Sequence, residues 1–143
     1  MRRRLHTADK VQIYDPNAPT DCWICCDATE TQEHLMFSCY YSRELLRKIK
    51  TWINIESTCD DLHRLVRWIY SSRKSRFQKA AYGAAIAGVV YGVWKARNDS
   101  KSNQRVPSIQ HMESWIKENV RRRIFLVMPR KISRNDRNWF YSL

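Results

Sequence analysis

Cys22-Trp23-Ile24-Cys25-Cys26-Asp27-Ala28-Thr29-Glu30-Thr31-Gln32-Glu33-His34-Leu35-Met36-Phe37-Ser38-Cys39 is the stretch that decides how this chain of 143 residues is read. It carries four of the five cysteines, an odd total, and nothing marks the chain for secretion, so a metal site is a better reading than a disulfide framework. Within it, Cys22-x2-Cys25-x8-His34-x4-Cys39 offers three thiolates and one imidazole, the soft-to-borderline set that suits tetrahedral zinc. Cys22 and Cys25 are close enough to present both sulfurs from one tight knuckle. His34 and Cys39 are five apart, a helical separation of roughly 140°, so the chain must leave regular helix near Ser38 for both to face one ion. The competing reading is that the cysteines are small buried hydrophobes and His34 a polar residue on a short helix. Cys26 is either a replacement for Cys25 as ligand or a spare thiol, and Cys59, further on, is expected to pack in a helix.

Four protein ligands leave no position for an activated water, which makes the expected single zinc structural rather than catalytic. The sequence also lacks G-x-S-x-G, a P-loop and H-E-x-x-H. The expectation is therefore a non-enzyme with no small-molecule substrate. Asp60-Asp61, the only adjacent carboxylate pair, reads as helix N-terminal charge at Asp60.

Working outward, Thr7 is placed to cap a short helix carrying Val11 and Ile13, which Asp15-Pro16 breaks. Thr31 to Cys39 reads as about two helical turns. From Tyr41 to about Ile53, Leu45, Leu46, Ile49, Trp52 and Ile53 share one helical face while Arg43, Arg47 and Lys50 lie opposite. The segment from about Asp60 to Lys74 repeats that arrangement, with Leu62, Leu65, Val66, Ile69 and Tyr70 against Arg64, Arg67 and Lys74. A helix from about Ser75, apolar on most of its circumference, should run through the middle of the packing and end at Asn98-Asp99-Ser100. Its apolar run, Ala80 to Trp94, is shorter than the roughly 20 residues a bilayer needs, so no membrane partner is expected. Gly88 and Gly92 within it read as a close helix contact. Ile109 to Phe125 is a last amphipathic helix carrying Arg121, Arg122 and Arg123, and the basic tail beyond Pro129 is expected to be flexible. The expected fold is mainly α. A zinc-binding module over 1–58 is followed by a basic helical region over 59–128 that packs on it and a tail over 129–143.

The formal net charge is +12. Residues 22–39 hold Asp27, Glu30 and Glu33 and no Lys or Arg, whereas residues 40–143 hold 22 Lys and Arg against 8 acids. A polyanion binder would therefore use the later helices, and RNA or DNA held without sequence specificity is the natural partner. The candidate contacts are Arg43, Arg47, Lys50, Arg64, Arg67, Lys74, Arg121, Arg122 and Arg123. Trp68 and Trp139 could stack on bases, with packing as the plainer role. An intracellular and nuclear setting suits such a protein.

At these residues the sequence resembles the zinc-binding domain of reverse transcriptases found near the C-terminus of plant non-LTR (LINE-type) retrotransposon polyproteins. Arg4-Leu5-x-Thr7-x-Asp9-Lys10-Val11 looks like that family's entry helix. The Cys22, Cys25, His34 and Cys39 spacing with Leu35 and Phe37 matches its ligand segment, and Ser42-Arg43 matches the pair that commonly follows. Tyr91-x-x-Trp94-Lys95-x-Arg97-Asn98 is similar to a pattern near the end of many such reading frames. The resemblance implies that the four residues are zinc ligands and that the chain is a C-terminal piece of an element, helping a reverse transcriptase hold its template or target. The chain departs from the family at Trp23, where many members have Pro, and at Cys26, where many have Gly. No polymerase, endonuclease or RNase H segment is present. The alternative function is a zinc-organised interaction module that docks to other reverse transcriptase regions or to an acidic partner. That alternative predicts exposed apolar surface.

Overall fold

The computed structural model describes residues 6–59 and 61–143. The expectations for Arg4, Leu5 and Asp60 lie outside the described residues. The described chain is mainly α: α1 (Ala8–Val11), a π-helical turn (His34–Ser38), α2 (Tyr40–Trp52), α3 (Leu62–Ser71), α4 (Arg76–Asn103), α5 (Ile109–Leu126) and α6 (Arg134–Tyr141). Its only β pairing among the described residues is an antiparallel bridge between Asp21 and Thr29.

Helix α4 is the axle. It packs against α2, α3, α5 and the π-helical turn, which its composition permits because alanines and glycines let neighbours approach on several sides. The closest approach is to α5. A Cβ on Gly92 would sit 2.9 Å from Ile116 Cδ1 and 3.1 Å from Met112 Sδ, and one on Gly88 would sit 3.1 Å from Ile116 Cγ2. The Gly88/Gly92 pair is thus a helix-packing device. Gly83, on the same helix, would meet nothing within 4 Å. Gly92→Ala is expected to cost about 1–3 kcal/mol through overpacking, while Gly83→Ala should gain up to about 1 kcal/mol in helix propensity. Urea unfolding of the two variants against the parent measures both signs.

Two elements differ from expectation. Helix α4 does not end at Asn98-Asp99-Ser100 but runs to Asn103, where Gln104 turns left-handed at φ 52°. Tertiary contacts override the weak propensity of that turn: Ser100 Oγ donates to the Trp23 carbonyl and Arg97 is bonded to Glu30, with the Lys95–Asp99 pair at 3.0 Å adding support within the helix. The expectation of a flexible tail is corrected as well, because the C-terminal residues fold into α6 and dock. Ser133 caps α6 by accepting from the Asp136 N–H, and Asp136 in turn accepts from Ser75 Oγ at 2.8 Å. Phe140 and Trp139 meet Phe77 edge-on, with ring centroids 6.2 and 6.3 Å apart, and Trp52 Nε1 donates to the Leu143 carbonyl at 2.9 Å.

Smaller differences follow from packing. Leu65 and Ile69 of α3 are buried, but Val66 and Tyr70 are exposed, so the apolar face of that helix is only partly covered. Cys59 lies in a non-helical link; its carbonyl accepts from Lys50 Nζ at 3.0 Å and its N–H donates to Ser57 Oγ at 3.1 Å. Trp68 packs on Tyr82 at 6.3 Å and Trp139 on the same ring at 5.8 Å, which makes both part of the core.

Candidate metal centre

The knuckle is built by a short hairpin. The Asp21–Thr29 bridge closes its ends, Cys22 N–H donates to Ala28 O at 2.8 Å, and Cys26 N–H returns to Cys22 O at 2.9 Å. Cys26 itself is left-handed, with φ 58°. The turn points Cys26 into solvent, outside the donor cluster. A Cβ in this conformation costs about 1–2 kcal/mol. Cys26→Gly is therefore expected to raise stability by about 1 kcal/mol and to leave metal content unchanged. Thermal unfolding with zinc analysis checks both, and loss of zinc would make Cys26 a ligand.

The second pair of donors is set by the π-helical turn. Thr31 starts it, its Oγ1 accepting from His34 N–H at 3.0 Å and its carbonyl from Leu35 N–H at 2.9 Å. Cys39 N–H then donates to His34 O at 2.7 Å, a bond spanning five residues rather than four. The wider turn resolves the roughly 140° offset that a regular helix would impose between His34 and Cys39. At Cys39 the backbone becomes extended, φ −63° and ψ 133°, and α2 begins at the next residue. Ser42, fully buried, donates from Oγ to the Cys39 carbonyl at 2.9 Å, and Arg43 N–H shares that carbonyl at 3.0 Å. Ser42 thus fixes the exit of the ligand segment.

The metal-ligating atoms of Cys22, Cys25, His34 and Cys39 all lie within 4.8 Å of one another, and Cys25 Sγ lies 3.3 Å from His34 Nε2. A tetrahedral zinc with Zn–S near 2.3 Å and Zn–N near 2.0 Å separates its donors by about 3.5–3.8 Å, so the group fits. Its electrostatics also call for a cation. The Cys22 thiol is pushed far up, first by its hydrogen bond with Cys39 and then by burial. Cys39 is pulled down by that same bond, and Cys25 is raised by burial. Three crowded sulfurs cannot all ionise without a positive ion between them, and zinc supplies that charge.

A buried ion pair joins this module to α4. The carboxylate of Glu30, which is 0% exposed, accepts from Arg97 Nη2 at 2.7 Å and from Arg97 Nε at 3.1 and 3.2 Å. Its oxygens also take Ala8 N–H at 3.0 Å and Trp23 N–H at 3.3 Å. Arg97, 4% exposed, spends its remaining donors on the His6 carbonyl at 3.1 Å and Asn98 Oδ1 at 3.2 Å. Sequence reasoning had counted Glu30 only as net charge and Arg97 only as part of a motif. The available signal was an arginine close behind the apolar run of α4, Ala80 to Trp94. Thr7, expected as a side-chain cap, instead donates its hydroxyl to Asp9.

The proposed phosphate contacts fare unevenly. Arg43, Arg67 and Arg123 are exposed and form no carboxylate ion pair among the described residues, while Arg64 is exposed beside the Asp61 carboxylate, which accepts its backbone N–H at 3.1 Å. Arg47 is exposed but paired to Glu44 at 2.6 Å, and Arg122 is paired to Glu118 at 3.2 Å. Arg121 lies over the Trp52 ring at 5.3 Å and donates to the Leu143 carbonyl; Lys74 is half-buried. Lys50 is corrected: it is 8% exposed, with Nζ bonded to the Cys59 carbonyl, because it sits where α2 turns inward toward the 55–59 link. No helix among the described residues is long and apolar enough to cross a membrane.

No curated protein and no solved structure matches the chain. Residues 1–45 match the family model described as zinc-binding in reverse transcriptase, and the Cys22, Cys25, His34 and Cys39 cluster inside that stretch is the site of one structural zinc.

Proposed function

We propose that this zinc-binding module, derived from a LINE-type retrotransposon reverse transcriptase, holds RNA or DNA through its basic helix faces without catalysis of its own. The observation that carries the reading is the set of exposed arginines without carboxylate partners, Arg43, Arg67 and Arg123, on helices attached to a module similar to one found in a nucleic-acid polymerase. With a net charge of +12 the chain attracts phosphate at long range. The nucleus suits such a binder. Fluorescence anisotropy with labelled oligonucleotides over a salt series tests it. The account expects binding that weakens linearly in log Kd against log salt, and similarly for unrelated sequences. Affinity unchanged by salt would refute phosphate contact. The interaction-module alternative draws on one feature, an apolar groove of about 500 Å³ between α3 and α4 lined by Met36, Val66, Ile86, Val90 and Trp94. It predicts no oligonucleotide binding near 0.15 M salt.

A further inference from the structure

On the other flank of α4, a second and larger groove of about 1460 Å³ runs between α4 and α5, with residues of the 127–133 turn and of α6 at one end. We propose that this groove seats single-stranded nucleic acid, an inference that rests on the nucleic-acid reading above and names its ligand class and place. Ala80, Ala84 and Ala87 of α4 line it, residues too small to hold a flat ring away from the helix. Around it stand Arg76 at the start of α4, Arg122 and Arg123 on α5, and Lys131 in the turn. Asp136 is the only acid among the lining residues; it is buried and already bonded to Ser75. The groove thus offers four cations against one engaged carboxylate.

At the other end Tyr91, 60% exposed, stacks on Trp115 with centroids 5.8 Å apart and planes 25° from parallel. An apolar floor, a stacked aromatic pair and a cationic rim are the parts that bind unpaired strands, whose bases expose their faces while their phosphates meet arginine. A duplex keeps those faces stacked on one another and would gain only the rim. The exposed Arg122–Glu118 pair does not oppose this, since a surface pair of that kind contributes little and yields readily to a phosphate.

The test is anisotropy on the zinc-loaded full chain with a labelled single strand of about 12 nucleotides and the matching duplex, a length within one ordinary binding-site size. The expected result is single strand bound about tenfold or more tighter than duplex. Tyr91→Ala should weaken it by about fivefold or more. Removing three groove charges in Arg122→Ala/Arg123→Ala/Lys131→Ala should lower the log–log salt slope by about two. Lys101→Ala/Arg105→Ala, which removes exposed charge outside the groove, should leave the preference for single strand in place. Equal affinity for duplex, or groove variants indistinguishable from the parent, would overturn the groove while leaving nucleic-acid binding standing. Failure to bind either form at about 0.05 M salt, where phosphate contacts are strong, would overturn both.

Discussion

Arg97→Met is expected to destabilise the zinc-loaded protein by about 3–5 kcal/mol, because it leaves the Glu30 carboxylate buried with no cation beside it. The loss should be larger than for any exposed arginine. Glu30 is satisfied by three elements at once: Ala8 N–H at the start of α1, Trp23 N–H in the knuckle and the Arg97 guanidinium on α4. Removing the charge from both partners, in Glu30→Gln/Arg97→Met, removes the unpaired charge and keeps an acceptor for one of the two backbone N–H groups, which bond different oxygens of Glu30. The double variant should therefore recover part of the loss. Urea unfolding of the single and double variants gives the coupling directly. A single variant within about 0.5 kcal/mol of the parent would show that the pair does not hold the module to α4.

Removing the metal is the second large effect. Structural zinc supplies folding free energy outright, about 10–16 kcal/mol in isolated zinc-finger peptides, comparable to the whole stability of a small domain. The consequence here should be regional. Most of the buried apolar cluster lies in the bundle, in Leu45, Ile49, Ala85, Val89, Ile116 and Val120, with Leu35 and Met36 of the π-helical turn joined to it, whereas the knuckle adds little apolar burial besides the ligand cysteines. Chelation, or Cys39→Ser, is expected to abolish hydrogen-exchange protection over residues 8–39 while leaving most helical circular dichroism from α2, α4 and α5. Zinc affinity should also fall as pH falls, since protons compete for the thiolates that hold the ion. The raised Cys22 and Cys25 thiols strengthen that competition, and the lowered Cys39 thiol opposes it at the third sulfur. Helicity lost as one transition on chelation would mean the bundle cannot stand without the module.

What could be read from the sequence divides along physical lines. The metal donors were legible because their chemistry and spacing are local, and so was the need to leave regular helix between His34 and Cys39. That the solution is a π-helical turn depends on backbone bonding over five residues, as from Cys39 N–H to the His34 carbonyl, which spacing alone does not specify. Helices α2 and α5 followed from apolar periodicity. Helix α6 did not, because its eight residues have few apolar positions and its docking depends on Phe77, Ser75 and Trp52, far away in the chain. The last turn of α4 was missed for the same reason, being held by Trp23 and Glu30 rather than by its own composition. Lys50 shows the limit of helical-wheel reasoning, since a charge opposite the apolar stripe was buried by a loop that the wheel does not contain.

The most direct test is zinc stoichiometry by elemental analysis of the purified chain, beside His34→Ala, Cys39→Ser and Cys26→Gly. The structure predicts one zinc per chain in the parent and in Cys26→Gly, and none in the two ligand variants. A folded parent without zinc, or ligand variants that retain it, would contradict the assignment of Cys22, Cys25, His34 and Cys39 as a structural metal centre.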